Sequence, residues 1–160
     1  MTTAPQASHA ASPHLVTIDG SNITRTLYEL EVGAEYTQEK GRRWLNSCMT
    51  AVATIFMEQS PTHAALVVDV PGQTWRHRIA PEYQAHRKAA PEMYRKGMEL
   101  LLPRLEQAAR LKPICIADVD GDDVIATLIA RWERRFPGAT AVVCSNDKDM
   151  LGLITDQVTI

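Results

Sequence analysis

Four short apolar runs, each leading into aspartate, constrain this chain more than any other feature of its sequence. Leu15-Val16-Thr17-Ile18 ends at Asp19, and Ala64-Ala65-Leu66-Val67-Val68 ends at Asp69. Ile114-Cys115-Ile116 runs into Ala117-Asp118-Val119-Asp120-Gly121-Asp122-Asp123, and Ala141-Val142-Val143-Cys144 into Ser145-Asn146-Asp147-Lys148-Asp149. Continuous apolar runs of this length suit strands buried on both faces. Stretches at helical spacing separate them. Residues 42 to 59 place Leu45, Met49, Val52, Ala53 and Phe56 on one stripe, and Pro61 stops that helix. A second helix is expected over about residues 91 to 109. A third, over 124 to 135, buries Ile125, Leu128, Ile129 and Trp132, and a short one covers 148 to 153. Val158-Thr159-Ile160 starts a fifth strand. Strands alternating with helices predict an α/β fold, a parallel sheet flanked by helices, in which ligands bind beyond the carboxyl ends of the strands.

With 160 residues the chain is expected to build one domain around a single sizeable core. Its formal charge of -2 excludes a generally basic DNA-coating protein, so any grip on phosphate must come from local segregation of charge. Cys48, Cys115 and Cys144 are odd in number and far apart, without CxxC spacing or a secretory leader. That pattern speaks against a zinc cluster or a disulfide framework and fits a reducing cytoplasm. Cys115 and Cys144, inside apolar runs, read as small core residues. No apolar stretch approaches the roughly 20 residues of a membrane span. Residues 1–14 are small, polar and Pro-containing, and read as a disordered tail before a domain at 15–160.

In a parallel sheet the strand-end aspartates all face one edge. So many like charges within a few ångströms would repel and raise one another's pKa. A hard divalent cation resolves the conflict. Mg²⁺ prefers oxygen ligands and keeps several waters, which suits carboxylates spread over several loops. Each aspartate also has a plainer reading. Asp120, Asp122 or Asp123 can cap the following helix, Asp147 can cap the 148–153 helix, and Asp19 can be a turn residue. Asp118 is the weakest member of the set and reads as solvated. Capping accounts for individual acids, not for the whole set.

From Thr74 to Gly97 the composition shifts. Arg76, Arg78, Arg87, Lys88, Arg95 and Lys96 outnumber Glu82 and Glu92, a local excess of four positive charges. Trp75, Tyr83 and Tyr94 are interleaved. Cations for phosphates and aromatics for stacking on bases are what single-stranded nucleic acid requires. A solvated helix face is the alternative. His77 and His86 read as polar surface or phosphate-contacting residues.

Taken together, LVTIDGSN, PTHAALVVDVPGQTWRHRIAPEYQAHR, DVDGDDVIATLIA and SNDKDMLGLIT resemble the 5′-nuclease domain attached to bacterial DNA polymerase I. The resemblance covers about residues 15–160 and implies a PIN-like three-layer fold. It further implies Mg²⁺-dependent cleavage, with Mn²⁺ able to substitute, of single-stranded or flapped DNA near a 5′ end, by a 5′-3′ exonuclease or flap endonuclease. By motif, Asp19, Asp69, Asp120, Asp122, Asp123, Asp147 and Asp149 are implied to form or support the metal cluster. Asp120 stands where the family usually carries glutamate. Tyr83 and Arg87 match arch residues that stack on bases and hold the scissile phosphate, with Arg76 a further contact. Gln84 falls where the family has a catalytic lysine, and Lys88 is the neighbouring cation to supply that charge.

The family continues with further aspartates and a helix-hairpin-helix region that binds duplex DNA, beyond the span of this chain. The resemblance thus leaves two expectations open: a nuclease, or a non-catalytic DNA-binding module of a split nuclease completed by a separate polypeptide. A PIN-type ribonuclease is a third. A phosphorylation receiver domain needs an acidic pair after the first strand, and here only Asp19-Gly20 stands there.

Overall fold

The structure, a computed structural model, describes residues 12–85 and 89–160. The elements run β1 (His14–Asp19), α1 (Gly20–Glu31), α2 (Gln38–Gln59), β2 (His63–Val67), α3 (Trp75–Ile79), α4 (Glu92–Ala109), β3 (Pro113–Ile114), α5 (Gly121–Arg135) and β4 (Thr140–Cys144). A 3-10 helix (Lys148–Leu153) and β5 (Val158–Thr159) complete them.

All five strands pair in parallel in the order β3-β2-β1-β4-β5. The chain steps outward from β1 to β3, then returns past β1 to β4. The sheet therefore changes direction between β1 and β4, where open α/β sheets form a crevice. The register sets Asp19 opposite Val67, and Ile18 opposite both Leu66 and Cys144, so the three central strands end at one level.

Period-two alternation divides the strand residues between two cores. Val16, Ile18, Leu66 and Val68 face α1, α2 and α4, joining Tyr28, Trp44, Cys48, Val52, Met98, Leu101 and Leu105. Leu15, Val67, Ala141 and Val143 face α5, joining Val124, Ile125, Ile129 and Trp132. Fully burying an Ile or Leu contributes about 1.5–3 kcal/mol, so both faces hold the sheet in place.

The observed elements depart from the sequence expectations at several points. Helix α1 was not foreseen. Asp19 begins it by accepting the Asn22 N–H at 3.0 Å, and Gly33 at φ 62° ends it. The stripe of α2 centres on Trp44, Cys48 and Val52, with Leu45, Met49 and Phe56 only partly buried beside it. Only Pro113–Ile114 of the third apolar run forms a strand, so Cys115 is exposed rather than in the core, and Cys144 is half-buried. At the other end, β1 opens on His14, the last residue of the segment read as a tail; residues 1–11 lie outside the described ones. No described helix is long and apolar enough to cross a membrane.

Candidate metal centre

The carboxylates gather where β1, β2 and β4 end and α5 begins. Asp19 is buried, at 6% exposure, and both its oxygens are engaged. Oδ1 accepts the Asn22 N–H at 3.0 Å, and Oδ2 accepts the Ser145 hydroxyl at 2.7 Å. The same hydroxyl oxygen accepts the Asp147 N–H at 3.1 Å, and Asn22 Oδ1 accepts the Asn146 N–H at 3.0 Å. Two stitches thus join the start of α1 to the loop after β4, across the change in sheet direction.

Asp69 is fixed from two other elements. Its N–H donates to Ser21 Oγ at 2.8 Å, and its Oδ1 accepts the Gly121 N–H at 2.7 Å. Gly121 opens α5, so Asp69 faces the positive end of that helix. A Cβ on Gly121 would lie 2.8 Å from Asp69 Oδ1, so this approach requires glycine.

Asp122 lies one residue into α5. Burial, then the charges of Asp19, Asp147, Asp69 and Asp120, push its carboxyl up to about 6. Asp19 is also raised, by burial first and by Asp69 and Asp147 last, against the lowering bonds from Asn22 and Ser145. Asp122 therefore stands in the field of Asp19, Asp69, Asp120 and Asp147, which come from four parts of the chain to one rim of the sheet. Asp149 donates its N–H to Asp147 Oδ1 at 3.0 Å, which caps the 3-10 helix.

A cation from the chain itself serves the other two acids. Arg76, on α3, donates to Asp120 Oδ2 at 2.6 Å and grips both oxygens of Asp123, through Nη1 and, at 2.6 Å, through Nη2. Thr74 Oγ1 also reaches Asp120, and Trp75 Nε1 reaches Asp123 at 3.1 Å. Asp123 is consequently held below the usual carboxylate range. Arg76 also stacks over the Trp75 ring, 4.7 Å from its centroid. Arg78 forms a second pair, with Asp118, 2.6 Å from Nη2 to Oδ2, so Asp118 is ion-paired rather than merely solvated.

Of the aromatic residues, Tyr94 is not available for stacking on bases. It packs edge-on to Tyr28 at 5.4 Å, tilts against Trp44 at 5.6 Å, and its hydroxyl lies 2.8 Å from Thr24 Oγ1. Tyr83 and Trp75 remain near the rim. The Tyr83 ring lies 5.2 Å from that of His77, and its hydroxyl accepts Gln84 Nε2 at 2.9 Å. His77 Nδ1 accepts the Thr74 N–H at 3.0 Å, which starts α3. Arg87, Lys88 and His86 lie outside the described residues. Ser21, Asn22, Thr74 and Ser145 were not singled out in the sequence; their signal is a small polar residue within a few positions of a strand-end or helix-start aspartate.

The donors around Asp19, Asp69, Asp122 and Asp147 are all carboxylate oxygens, the set that a hard cation with retained waters prefers. Among the described residues no three His, Cys, Asp or Glu side chains form a ready-made cage. The donor set fits a hard divalent cation by chemistry, and such an ion would offset the negative field around Asp122.

Residues 14–160 match the family described as 5′-3′ exonuclease, N-terminal resolvase-like domain. DNA polymerase I of Mycobacterium tuberculosis (strain ATCC 25618 / H37Rv) is 30% identical over 154 residues, covering 94% of this chain and 16% of that protein. Flap endonuclease Xni of Serratia proteamaculans is 28% identical over 152 residues, covering 92% of this chain and 55% of the relative. The chain therefore spans about half or less of the curated relatives it matches. Among solved structures, T5 5′-exonuclease with bound zinc superposes with a TM-score of 0.71 at 15% identity, over 91% of this chain and 53% of that one. A bacteriophage T5 flap endonuclease, in a complex with DNA and metal ions, superposes with a TM-score of 0.59 at 16% identity. These structures match the five-stranded parallel sheet with its flanking helices.

Proposed function

We propose that this chain, which belongs to the 5′-3′ exonuclease family through its N-terminal resolvase-like domain, hydrolyses DNA phosphodiesters near 5′ ends with the help of divalent metal. The observation that carries the proposal is the shared field of Asp19, Asp69, Asp120, Asp122 and Asp147 on one rim of a sheet of this family's fold.

Asp19, Asp69, Asp122 and Asp147 would hold Mg²⁺, with Asp120, Asp123 and Asp149 in support. When bound, the metal supplies a water of lowered pKa and positive charge beside the departing oxygen. Ser145, Asn22 and the Gly121 N–H orient the carboxylates of Asp19 and Asp69 for the cation. Asp120 and Asp123 hold Arg76 at the edge of the rim, so its charge is taken up within the protein. Tyr83 and Gln84, with Arg87 and Lys88 next in sequence, supply the base-stacking and phosphate-binding side of the site.

The test is to incubate the purified chain with 5′-labelled flap, single-stranded and duplex DNA in Mg²⁺ or Mn²⁺. Asp69→Asn and Asp147→Asn are expected to abolish cleavage while leaving the fold intact, and chelation is expected to stop the wild type. Activity that survives both substitutions would rule this site out.

One observation favours a second reading, a DNA-binding module of a split nuclease. An open groove of about 390 Å³ lies beside β4 and β5, lined by apolar Ile23, Val142 and Ile160 and by polar Gln59, Asn146 and Thr159. The relatives are longer than the matched region, and a separate polypeptide carrying the rest would find a seat of mixed character here. On this reading the chain binds flapped DNA and releases no nucleotide under any divalent metal. A PIN-type ribonuclease would be distinguished by a preference for RNA.

A further inference from the structure

We infer that Ser145 is a positioning residue that sets Asp19 and Asp147 at one distance and orientation for a shared cation. The inference rests on the metal-site reading above and deepens it.

Asp19 closes β1 and Asp147 follows β4, and the strands that carry them belong to opposite halves of the sheet. Ser145 contacts both with a single atom. Its hydroxyl donates to Asp19 Oδ2 at 2.7 Å, and the same oxygen accepts the Asp147 N–H at 3.1 Å. Asn22 pins the other Asp19 oxygen through its backbone N–H at 3.0 Å. Held from both sides, the Asp19 carboxylate cannot rotate, and each oxygen keeps a lone pair for a ligand. Since an ion pair falls off with distance and a coordination bond falls off faster, loss of this stitch weakens the cation more than it weakens the fold.

The fold has other supports at this point. The Asn146 N–H donates to Asn22 Oδ1 at 3.0 Å, Asp147 caps its own 3-10 helix, and β4 pairs with β1 along its length. A role limited to folding would therefore leave little for Ser145 to do. A role in aiming carboxylates predicts that the hydroxyl, rather than the bulk, is what matters. Partners that orient metal-binding carboxylates typically govern affinity by about 10–100-fold.

The test uses the full chain with Mn²⁺ as probe, followed by titration calorimetry and thermal melting. Ser145→Ala is expected to weaken Mn²⁺ binding about tenfold or more, while the metal-free chain stays folded and melts only modestly lower for the one lost hydrogen bond. Ser145→Thr, which keeps the hydroxyl, is expected to restore binding to within about twofold of wild type. Should Ser145→Ala fail to fold, the near-isosteric Ser145→Cys, a weak donor, takes its place with the same expectation. If wild type binds Mn²⁺, Asp19→Asn abolishes binding and Ser145→Ala binds as wild type does, the positioning role is overturned while the metal site stands. If Ser145→Thr binds as poorly as Ser145→Ala, the hydroxyl is not the cause and the role is again overturned. A wild-type chain that takes up no Mn²⁺ overturns the metal-site reading and this inference with it.

Discussion

The Gly121 N–H donates to Asp69 Oδ1 at 2.7 Å, joining residues 52 positions apart. This one bond fixes the start of α5 against the end of β2 and so brings Asp122 within the field of Asp69. Gly121→Ala is expected to fold, because the atom its methyl meets, at 2.8 Å, is the free end of a side chain. Asp69 must then swing away. Metal-dependent cleavage and Mn²⁺ affinity should fall together while circular dichroism stays native, and unchanged affinity would show that Asp69 does not need this anchor.

Gly97 is a different case. A Cβ there would lie 2.1 Å from the Trp44 ring, which is 1% exposed and locked by its Nε1–H bond to the Thr24 carbonyl at 2.9 Å. Gly97→Ala overpacks the core and is expected to cost about 1–3 kcal/mol in denaturant unfolding. Metal affinity of the folded fraction should stay as it was.

The two arginine pairs separate on exposure. Arg76, 28% exposed, serves Asp120 and Asp123, which are 14% and 29% exposed; Arg78 and Asp118 are 62% and 43% exposed. Arg76→Met strands two partly buried carboxylates and is expected to lower stability by about 2 kcal/mol. Arg78→Met should lower it far less, because solvent screens that exposed pair. Equal losses in urea unfolding would contradict this ordering.

Asp122 gives the metal-free chain a pH signature. Its folded-state pKa of about 6 lies above the ordinary 3.8, so between those values the folded chain holds a proton that the unfolded chain has released. Ionising Asp122 thus costs stability above about pH 6, and the cost fades as pH falls toward 4. Asp122→Asn is therefore expected to melt above wild type at neutral pH, with the two curves converging near pH 4. Parallel curves across that range would refute the assignment.

The thiols should divide by access. Cys115 is exposed, whereas Cys48 is buried and its thiol is pushed up to about 12, by burial first and by Glu31 second. A thiol-specific chromogenic reagent is expected to label Cys115 within minutes in the native chain and Cys48 only after unfolding. The reverse order would contradict the packing of α2 against the sheet.

Much of this arrangement was legible because it depends on local pattern. Apolar runs marked β1, β2 and β4, and their parallel pairing sent Asp19 and Asp69 to one edge without any knowledge of the connections. What the residues alone did not disclose depends on partners distant in sequence. The third apolar run pairs only at Pro113–Ile114, because β3 is an edge strand whose one neighbour, β2, meets it at just two positions. Tyr94 read as part of a basic, aromatic surface because its neighbours Arg95 and Lys96 are exposed, yet helical turning carries it inward to Tyr28 and Trp44. Arg76 read as free for phosphate, and nothing local announced that Asp120 and Asp123, more than 40 residues on, would claim it. Ser145 was unreadable for the same reason, since its role exists only once β1 and β4 lie side by side.

The central place of β1 in the strand order couples distant parts of the chain. Asp19 closes β1 and Asp147 follows β4, segments far apart in sequence and side by side in the sheet. Parting β4 from β1 would scatter these acids and leave no common rim. Whatever chemistry the rim performs therefore depends on that one pairing and is lost as a unit when the two strands separate.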